Sequence, residues 1–87
     1  MAKRVIASKK PTSNIIKTEE EFANFIKYKR TNSGSTIKEM SDMLNINSKT
    51  LSKMETGKVG TRLSTAIYVA NMLGLEIIIR EKGEKNS

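Results

Sequence analysis

The sequence predicts a mostly α-helical bundle that ends in a single β-strand. Three observations support this fold class: two capping-box patterns, four stretches with apolar residues at helical spacing, and one short β-branched run near the C-terminus. The chain has 87 residues, which is enough for one domain with a modest core. Oligomerisation is an obvious way for so short a chain to bury more apolar surface.

The first helix is predicted to begin after Thr18. Thr18 and Glu21 have the spacing of a capping box, in which each side chain binds the backbone amide of the other residue. Phe22, Phe25 and Ile26 follow at helical spacing, so both phenylalanines are expected in the core.

A second capping box, formed by Thr36 and Glu39, opens helix two. Asn45 follows this helix, and asparagine tolerates the left-handed backbone that a tight turn between helices needs. Asn47 can cap helix three, and Gly57 can end it. The apolar residues predicted to hold the two helices together are Ile37, Met40, Leu44, Ile46, Leu51 and Met54.

Helix four is predicted to follow Thr61, a candidate N-cap, and to end at Gly74. Its inward positions are expected to be Leu63, Ala66, Ile67, Ala70 and Leu73.

The sequence LEIIIR at residues 75–80 is short, β-branched and apolar, which is typical of a strand. A lone strand leaves its amides and carbonyls unpaired, so we expect two copies of the chain to pair these strands antiparallel about a two-fold axis. The predicted dimer strand uses Leu75, Ile77, Ile78 and Ile79.

The charge balance indicates an anionic partner. The chain has 16 Lys and Arg against 9 Asp and Glu, a net charge of +7. Five of the basic residues and no acidic residue lie in the first 17 positions. Those of the N-terminal arm are Lys3, Arg4, Lys9 and Lys10, and such arms follow a nucleic-acid backbone or enter a minor groove. A solvated tail that keeps the protein soluble is the alternative.

The absence of Cys and His excludes disulfides, thiol chemistry, imidazole catalysis and the usual zinc sites. Since there is also no Gly-rich phosphate loop, we expect no enzyme, no metal and no cofactor. No apolar run approaches the roughly 20 residues of a membrane span, and the N-terminus does not have the pattern of a secretory signal. A cytoplasmic protein is therefore expected.

Helices two and three together meet the requirements of a helix-turn-helix, which places its second helix in the major groove of DNA. The outer face of helix three offers Ser48, Lys49, Ser52 and Lys53, whose side chains can donate to base edges. The solvated face of an ordinary small helical domain is the alternative.

Residues 16–74 resemble the lambda-repressor/Cro-type family, also called XRE-type. The resemblance is carried by Arg30, by TIKEM at 36–40, by Ile46 and, most specifically, by TLSKMETGK at 50–58. It implies a lambda-repressor-like helix-turn-helix bundle, with an ion pair between Arg30 and Glu55 that ties helix three to helix one.

The sequence is also similar to HipB-like antitoxins. IIKTEEEFANFIKYKR resembles their first helix, and LEIIIREKG resembles the strand that forms their dimer seam. This resemblance implies a homodimer that binds a palindromic operator in its own promoter, represses its operon and holds a HipA-like kinase toxin inactive. A phage or mobile-element repressor without a toxin, or a toxin-binding module with weak DNA affinity, are the alternatives.

The resemblance also assigns roles to individual residues. Ser48, Lys49 and Lys53 match base-reading positions, and Ser52 lies beside them on the same face. The positions expected to contact phosphate are Asn47, Thr50, Lys58, Arg62 and Thr36.

Three positions depart from the family pattern. Ser41 and Asn45 replace Ala and Gly, which are mild changes on steric grounds. Ile37 replaces a glutamine that contacts phosphate, so helix two cannot bind the DNA backbone through the side chain at this position.

The chain accordingly divides into four segments. These are a basic flexible arm at 1–14, a helix-turn-helix DNA-binding domain at 15–74, a dimerisation strand at 75–82 and a tail at 83–87.

Overall fold

The computed structural model describes residues 5–57 and 60–83, which form four helices. These are α1 (Glu19–Asn32), α2 (Ile37–Leu44), α3 (Ser48–Thr56) and α4 (Leu63–Met72). No strand is formed within these residues. None of the helices is long and apolar enough to cross a membrane, as far as the described ranges extend.

Both predicted capping boxes are confirmed. The amide of Glu21 donates to the hydroxyl of Thr18 over 3.2 Å, and the amide of Thr18 donates to the Glu21 carboxylate over 3.0 Å. In the second box, the amide of Glu39 donates to the hydroxyl of Thr36 over 3.1 Å, and the amide of Thr36 donates to the Glu39 carboxylate over 2.9 Å. Each box satisfies two amides that a helix N-terminus would otherwise leave without a partner, so both helices begin where the sequence places them.

The turn between α2 and α3 has the predicted left-handed residue. Asn45 has φ 58° and ψ 44°, and the amide of Ile46 donates to the carbonyl of Ser41 over 3.0 Å. Asn47 then caps α3, because its side-chain oxygen accepts from the amide of Lys49 over 2.7 Å. The hydroxyl of Ser41 is buried but donates to the Lys38 carbonyl, so this departure from the family leaves no unsatisfied group.

The core is the inner face of the α2–α3 pair closed by α1 and α4. The predicted inner residues are confirmed, since Met40, Leu44, Leu51 and Met54 are buried while Ile37 and Ile46 pack against them from the edge. The remaining members of the buried cluster are Ile26 and Val69. Phe22 packs against this cluster, and Phe25 is half-buried.

Two predictions for α4 are wrong. Arg62, not Thr61, is the N-cap residue, and it makes no side-chain cap bond. Leu63 and Ile67, both predicted to face inward, are 72% and 40% exposed, and Val69, outside the predicted stripe, is fully buried. The helix is therefore rotated from the expected orientation, with Val69 rather than Leu63 turned towards the core.

Tyr68 joins α4 to the helix-turn-helix. Its phenolic hydroxyl donates to the carbonyl of Leu44, at the end of α2, over 2.7 Å. This carbonyl belongs to the last turn of α2 and has no partner within the helix. The bond therefore satisfies α2 at the turn that sets the direction of α3.

Arg30 and Glu55 form the predicted ion pair. The guanidinium donates twice to the carboxylate, over 2.6 and 2.9 Å, and once to the carbonyl of Ser35 over 2.9 Å. Both side chains are largely buried, with exposed fractions of 11% and 7%. The pair is bidentate, which adds geometric specificity to the charge attraction. It therefore fixes α3 to α1 at a defined angle.

Gly57 ends α3 in a left-handed conformation with φ 69°. A Cβ at this position would lie 2.6 Å from the Cα of Glu20. Glycine is thus required both by the backbone dihedral and by the close approach of α3 to the start of α1.

The predicted C-terminal strand is absent from the isolated chain. Leu75 is attached to the bundle, because its amide donates to the Ala70 carbonyl over 2.8 Å and its side chain packs on the core. Residues 76–80 follow without regular secondary structure, and their backbone groups make no hydrogen bond to any described residue. A strand needs a neighbour, and a single chain offers none here.

We expect removal of one partner of the Arg30–Glu55 pair to be strongly destabilising. Glu55→Ala should lower the free energy of unfolding by about 3–5 kcal/mol, because it leaves a buried guanidinium charge without its counterion. Urea denaturation followed by circular dichroism measures this change.

The exposed pair Lys38–Asp42, with side chains 81% and 68% exposed and 3.4 Å between charged atoms, is the matched control. Asp42→Ala should change stability by no more than about 1 kcal/mol. Equal losses for Glu55→Ala and Asp42→Ala would contradict a special role for the buried pair.

Candidate nucleic-acid interface

The outer face of α3 carries all four predicted base-reading residues in exposed positions. Ser48, Lys49, Ser52 and Lys53 are exposed, while Leu51 and Met54 of the same helix are buried. Lys49 and Lys53 are separated by one helical turn and so lie on the same side. Neither ammonium group has a carboxylate partner among the described residues. The face thus presents two unpaired positive charges between small hydroxyl groups.

The predicted phosphate positions surround this face unevenly. Asn47 at the start of α3, Thr50 within it and Arg62 before α4 are exposed. Asn47 uses its side-chain oxygen as a cap, which leaves its amide nitrogen as a donor. Thr36 is half-buried, and its hydroxyl is engaged in the capping box of α2. Lys58 lies outside the described residues.

The N-terminal arm is attached to the end of α1. The amide of Ser8 donates to the hydroxyl of Thr31 over 3.0 Å, and the side-chain amide of Asn32 donates to the Ser8 carbonyl over 2.9 Å. Lys9 and Lys10, which follow directly, are exposed. The predicted contacts of Lys3 and Arg4 lie outside the described residues.

Sequence reasoning missed Tyr68 and the anchor formed by Ser8, Thr31 and Asn32. These contacts join residues that are 23 or 24 positions apart, so no local spacing could have indicated them.

A second surface of the domain exposes several large apolar side chains. A groove of about 1370 Å³ runs between the C-terminal segment and the start of α1. The large apolar residues exposed along or near it are Ile15, Ile16, Leu63, Ile77, Ile78 and Ile79. Contiguous exposed apolar surface of this kind marks an interaction site in soluble proteins. Within the described residues, no group of three or more Asp or Glu lies close enough together to hold a metal ion.

Comparison with known proteins agrees with this arrangement. The helix-turn-helix family HTH_3 matches residues 26–78, which is more than half of the chain. No curated protein matches. Among solved structures, a HipB variant in complex with an O2 20mer is similar to this chain, with a TM-score of 0.69 and 24% sequence identity. The match covers 82% of this chain and 99% of that chain.

At this identity the likeness to HipB establishes the fold alone, whereas the family match extends over the motif itself. It covers the turn at Asn45, the whole of α3 and the Glu55 partner of Arg30. The chain therefore belongs to the HTH_3 family, the XRE-type helix-turn-helix DNA-binding domains, and has a HipB-like fold.

Proposed function

We propose that this protein is a sequence-specific transcriptional repressor that binds a palindromic operator as a homodimer and serves as the antitoxin of a HipBA-like type II toxin–antitoxin module. It autoregulates its operon and neutralises a HipA-like kinase toxin. The outer face of α3 is the observation that carries the DNA-binding part of this proposal.

The base-reading role of α3 follows from three features of that face. Lys49 and Lys53 are unpaired donors on one side of the helix, and lysine binds guanine O6 and N7 in the major groove. Ser48 and Ser52 are small, so they allow the helix backbone to approach the base edges. The ion pair between Arg30 and Glu55 holds the helix rigidly, which a reading surface requires.

Contacts to phosphate are expected to surround this face and to set the register of the protein on the duplex. Asn47, Thr50 and Arg62 are exposed and available for this role. Thr36 has no free backbone donor for this role, because its amide donates to the Glu39 carboxylate, and its hydroxyl accepts from the Glu39 amide.

The homodimer is supported by the unpaired C-terminal segment and the apolar groove next to it. Ile78 and Ile79 are 76% and 93% exposed, and the neighbouring backbone groups have no partner within the described chain. A second copy offers the same segment, so antiparallel pairing satisfies both backbones and covers the isoleucines.

Two-fold symmetry restricts how these segments can pair. In an antiparallel pair related by a two-fold axis perpendicular to the sheet, one residue must lie directly opposite its own copy across the axis, because directly opposed side chains point to the same face. When Ile78 lies opposite its own copy, Glu76 of each copy lies opposite Arg80 of the other, and Ile77 of each copy lies opposite Ile79 of the other. Centring on Ile77 or Ile79 instead places a charged residue opposite an isoleucine.

The same register separates the two faces of the paired strands. Leu75, Ile77 and Ile79 fall on the face that includes the core contact of Leu75, whereas Glu76, Ile78 and Arg80 fall on the other. Opposite charges and β-branched pairs across strands each stabilise such a pair by roughly 0.2–1 kcal/mol. The Ile78-centred register is therefore the one we propose for the dimer.

Neutralisation of a HipA-like kinase is proposed from the similarity to HipB-like antitoxins rather than from a particular surface of this chain. The HipB-like fold is consistent with it.

Removal of either lysine should reduce discrimination between DNA sequences. Lys49→Ala or Lys53→Ala should weaken binding to the protein's own promoter by about 1–3 kcal/mol while changing binding to random DNA much less, because a base contact is sequence-dependent. Fluorescence anisotropy with both duplexes measures the ratio.

Lys38→Ala removes the same charge from the exposed side of α2 and should affect both duplexes equally. If the lysine substitutions in α3 also lower both affinities equally, they contact phosphate. If the wild-type protein binds neither duplex, the weak-DNA alternative replaces the repressor.

The register can be tested with single cysteines, because the chain has none of its own. In the Ile78-centred pairing, Ile78→Cys places two thiols opposite each other with Cα atoms about 5 Å apart, within disulfide reach. Ile77→Cys places them about 8 Å apart and should not cross-link. Non-reducing electrophoresis after mild oxidation gives the result.

Ile78→Ser is the matched control for the loss of the isoleucine, and sedimentation equilibrium reports whether each variant is still a dimer. A dimer in which Ile77→Cys cross-links fastest would contradict the register. A wild-type monomer would contradict the dimer itself.

The antitoxin role predicts a kinase-like protein encoded beside this chain. Co-expression of the two should give a stable complex by size-exclusion chromatography and should relieve the growth arrest that the kinase alone causes. A neighbouring gene of another kind, with DNA binding intact, would favour a phage or mobile-element repressor.

A further inference from the structure

The start of α2 is poorly suited to bind phosphate by its own side chains. Ile37 is half-buried and packs against the core, so it offers no polar group. The capping box uses the hydroxyl of Thr36 and places the Glu39 carboxylate at the same corner. The guanidinium of Arg30 nearby is committed to Glu55 and the Ser35 carbonyl.

The N-terminal arm is built against this corner. Thr31, only 5% exposed, accepts the Ser8 amide, while its own hydroxyl donates to the Lys27 carbonyl over 2.8 Å. The side-chain oxygens of Ser8 and Thr31 are a further 3.1 Å apart, within hydrogen-bond distance. Together with the bond from Asn32 to the Ser8 carbonyl, these contacts fix one residue of the arm at the end of α1.

The stretch before this anchor passes beside α2. Val5 and Ile6 line a cleft of about 380 Å³ together with Thr36 and Ile37. Val5 is half-buried there. The apolar side chain of Ile37 thus stands next to the apolar residues of the arm, a position where glutamine would place a polar group. Ile37 and the arm form one continuous surface at this corner.

We propose that the arm replaces the missing phosphate contact of α2. The anchor formed by Ser8, Thr31 and Asn32, here termed the arm anchor, holds the arm across the α1–α2 corner. The lysines of the arm then bind the phosphodiester backbone of duplex DNA irrespective of sequence. This inference rests on the proposed DNA-binding function and adds a surface that the helix-turn-helix does not contain.

Charge and exposure favour phosphate as the ligand of this surface. Lys9 and Lys10 follow Ser8 of the anchor directly and are exposed, and neither is paired with a carboxylate among the described residues. A free arm loses conformational entropy when it binds, whereas an anchored one has already lost part of it. The anchor therefore increases affinity without touching DNA itself.

The test is a double-mutant cycle in the full-length chain. For each variant, the affinity for a random-sequence duplex is measured as a function of salt concentration. Asn32→Ala removes one bond of the arm anchor at an exposed position. A second background replaces Lys3, Arg4, Lys9 and Lys10 with alanine. This background should lower the slope of log affinity against log salt by about 0.9 for each phosphate that the arm no longer neutralises.

We expect Asn32→Ala to weaken binding severalfold in the wild-type background and to have no further effect once the arm is neutral. Asn71→Ala, the same change at an exposed position of α4, should alter neither slope nor affinity. Thermal unfolding by circular dichroism verifies that each variant is folded.

An effect of Asn32→Ala that is equal in both backgrounds, or absent from the wild-type background, would overturn the role of the arm anchor. In either case DNA binding by the wild-type protein would leave the proposed function intact. Absence of any DNA binding by the wild type would overturn both.

Discussion

The bidentate ion pair between Arg30 and Glu55 is the interaction on which the orientation of α3 depends. It is largely buried and crosses from α1 to α3, so it sets the angle at which α3 leaves the bundle. Hydrophobic packing alone would hold α3 in place but would tolerate small rotations. A surface made of two serines and two lysines can discriminate base edges only if its donors are held at fixed positions.

The domain has a closed core but an open apolar groove on its surface. The core around Ile26, Leu51 and Val69 is closed, and every buried side-chain polar atom among the described residues has a hydrogen-bond partner. On the surface, the isoleucines of residues 77–79 and the exposed Leu63 border an open groove. The homodimer that we propose would cover this groove, and a two-fold dimer would bind a two-fold operator.

Ile37, which departs from the family pattern, lies next to the N-terminal arm. Ile37 packs at the edge of the core and, unlike the glutamine of the family pattern, has no polar group that could contact the DNA backbone. The arm lies beside Ile37 through Val5 and Ile6, and it is attached at Ser8 by hydrogen bonds that form without DNA. A departure from the family pattern at one residue is thus compatible with retained affinity, provided that another segment carries the charge.

The elements with local causes could be predicted from the sequence. The boxes at Thr18 and Thr36, the left-handed Asn45 and the cap at Asn47 act within four residues, and helical spacing identified the inner face of α2 and α3. The rotation of α4, the bond from Tyr68 to Leu44 and the anchor at Ser8 became evident only in the folded chain. These features depend on contacts between residues that are more than 20 positions apart in the sequence, and the spacing of neighbouring residues does not predict such contacts. The proposed pairing of residues 75–80 is not formed in the fold of one chain, because its partner is a second chain.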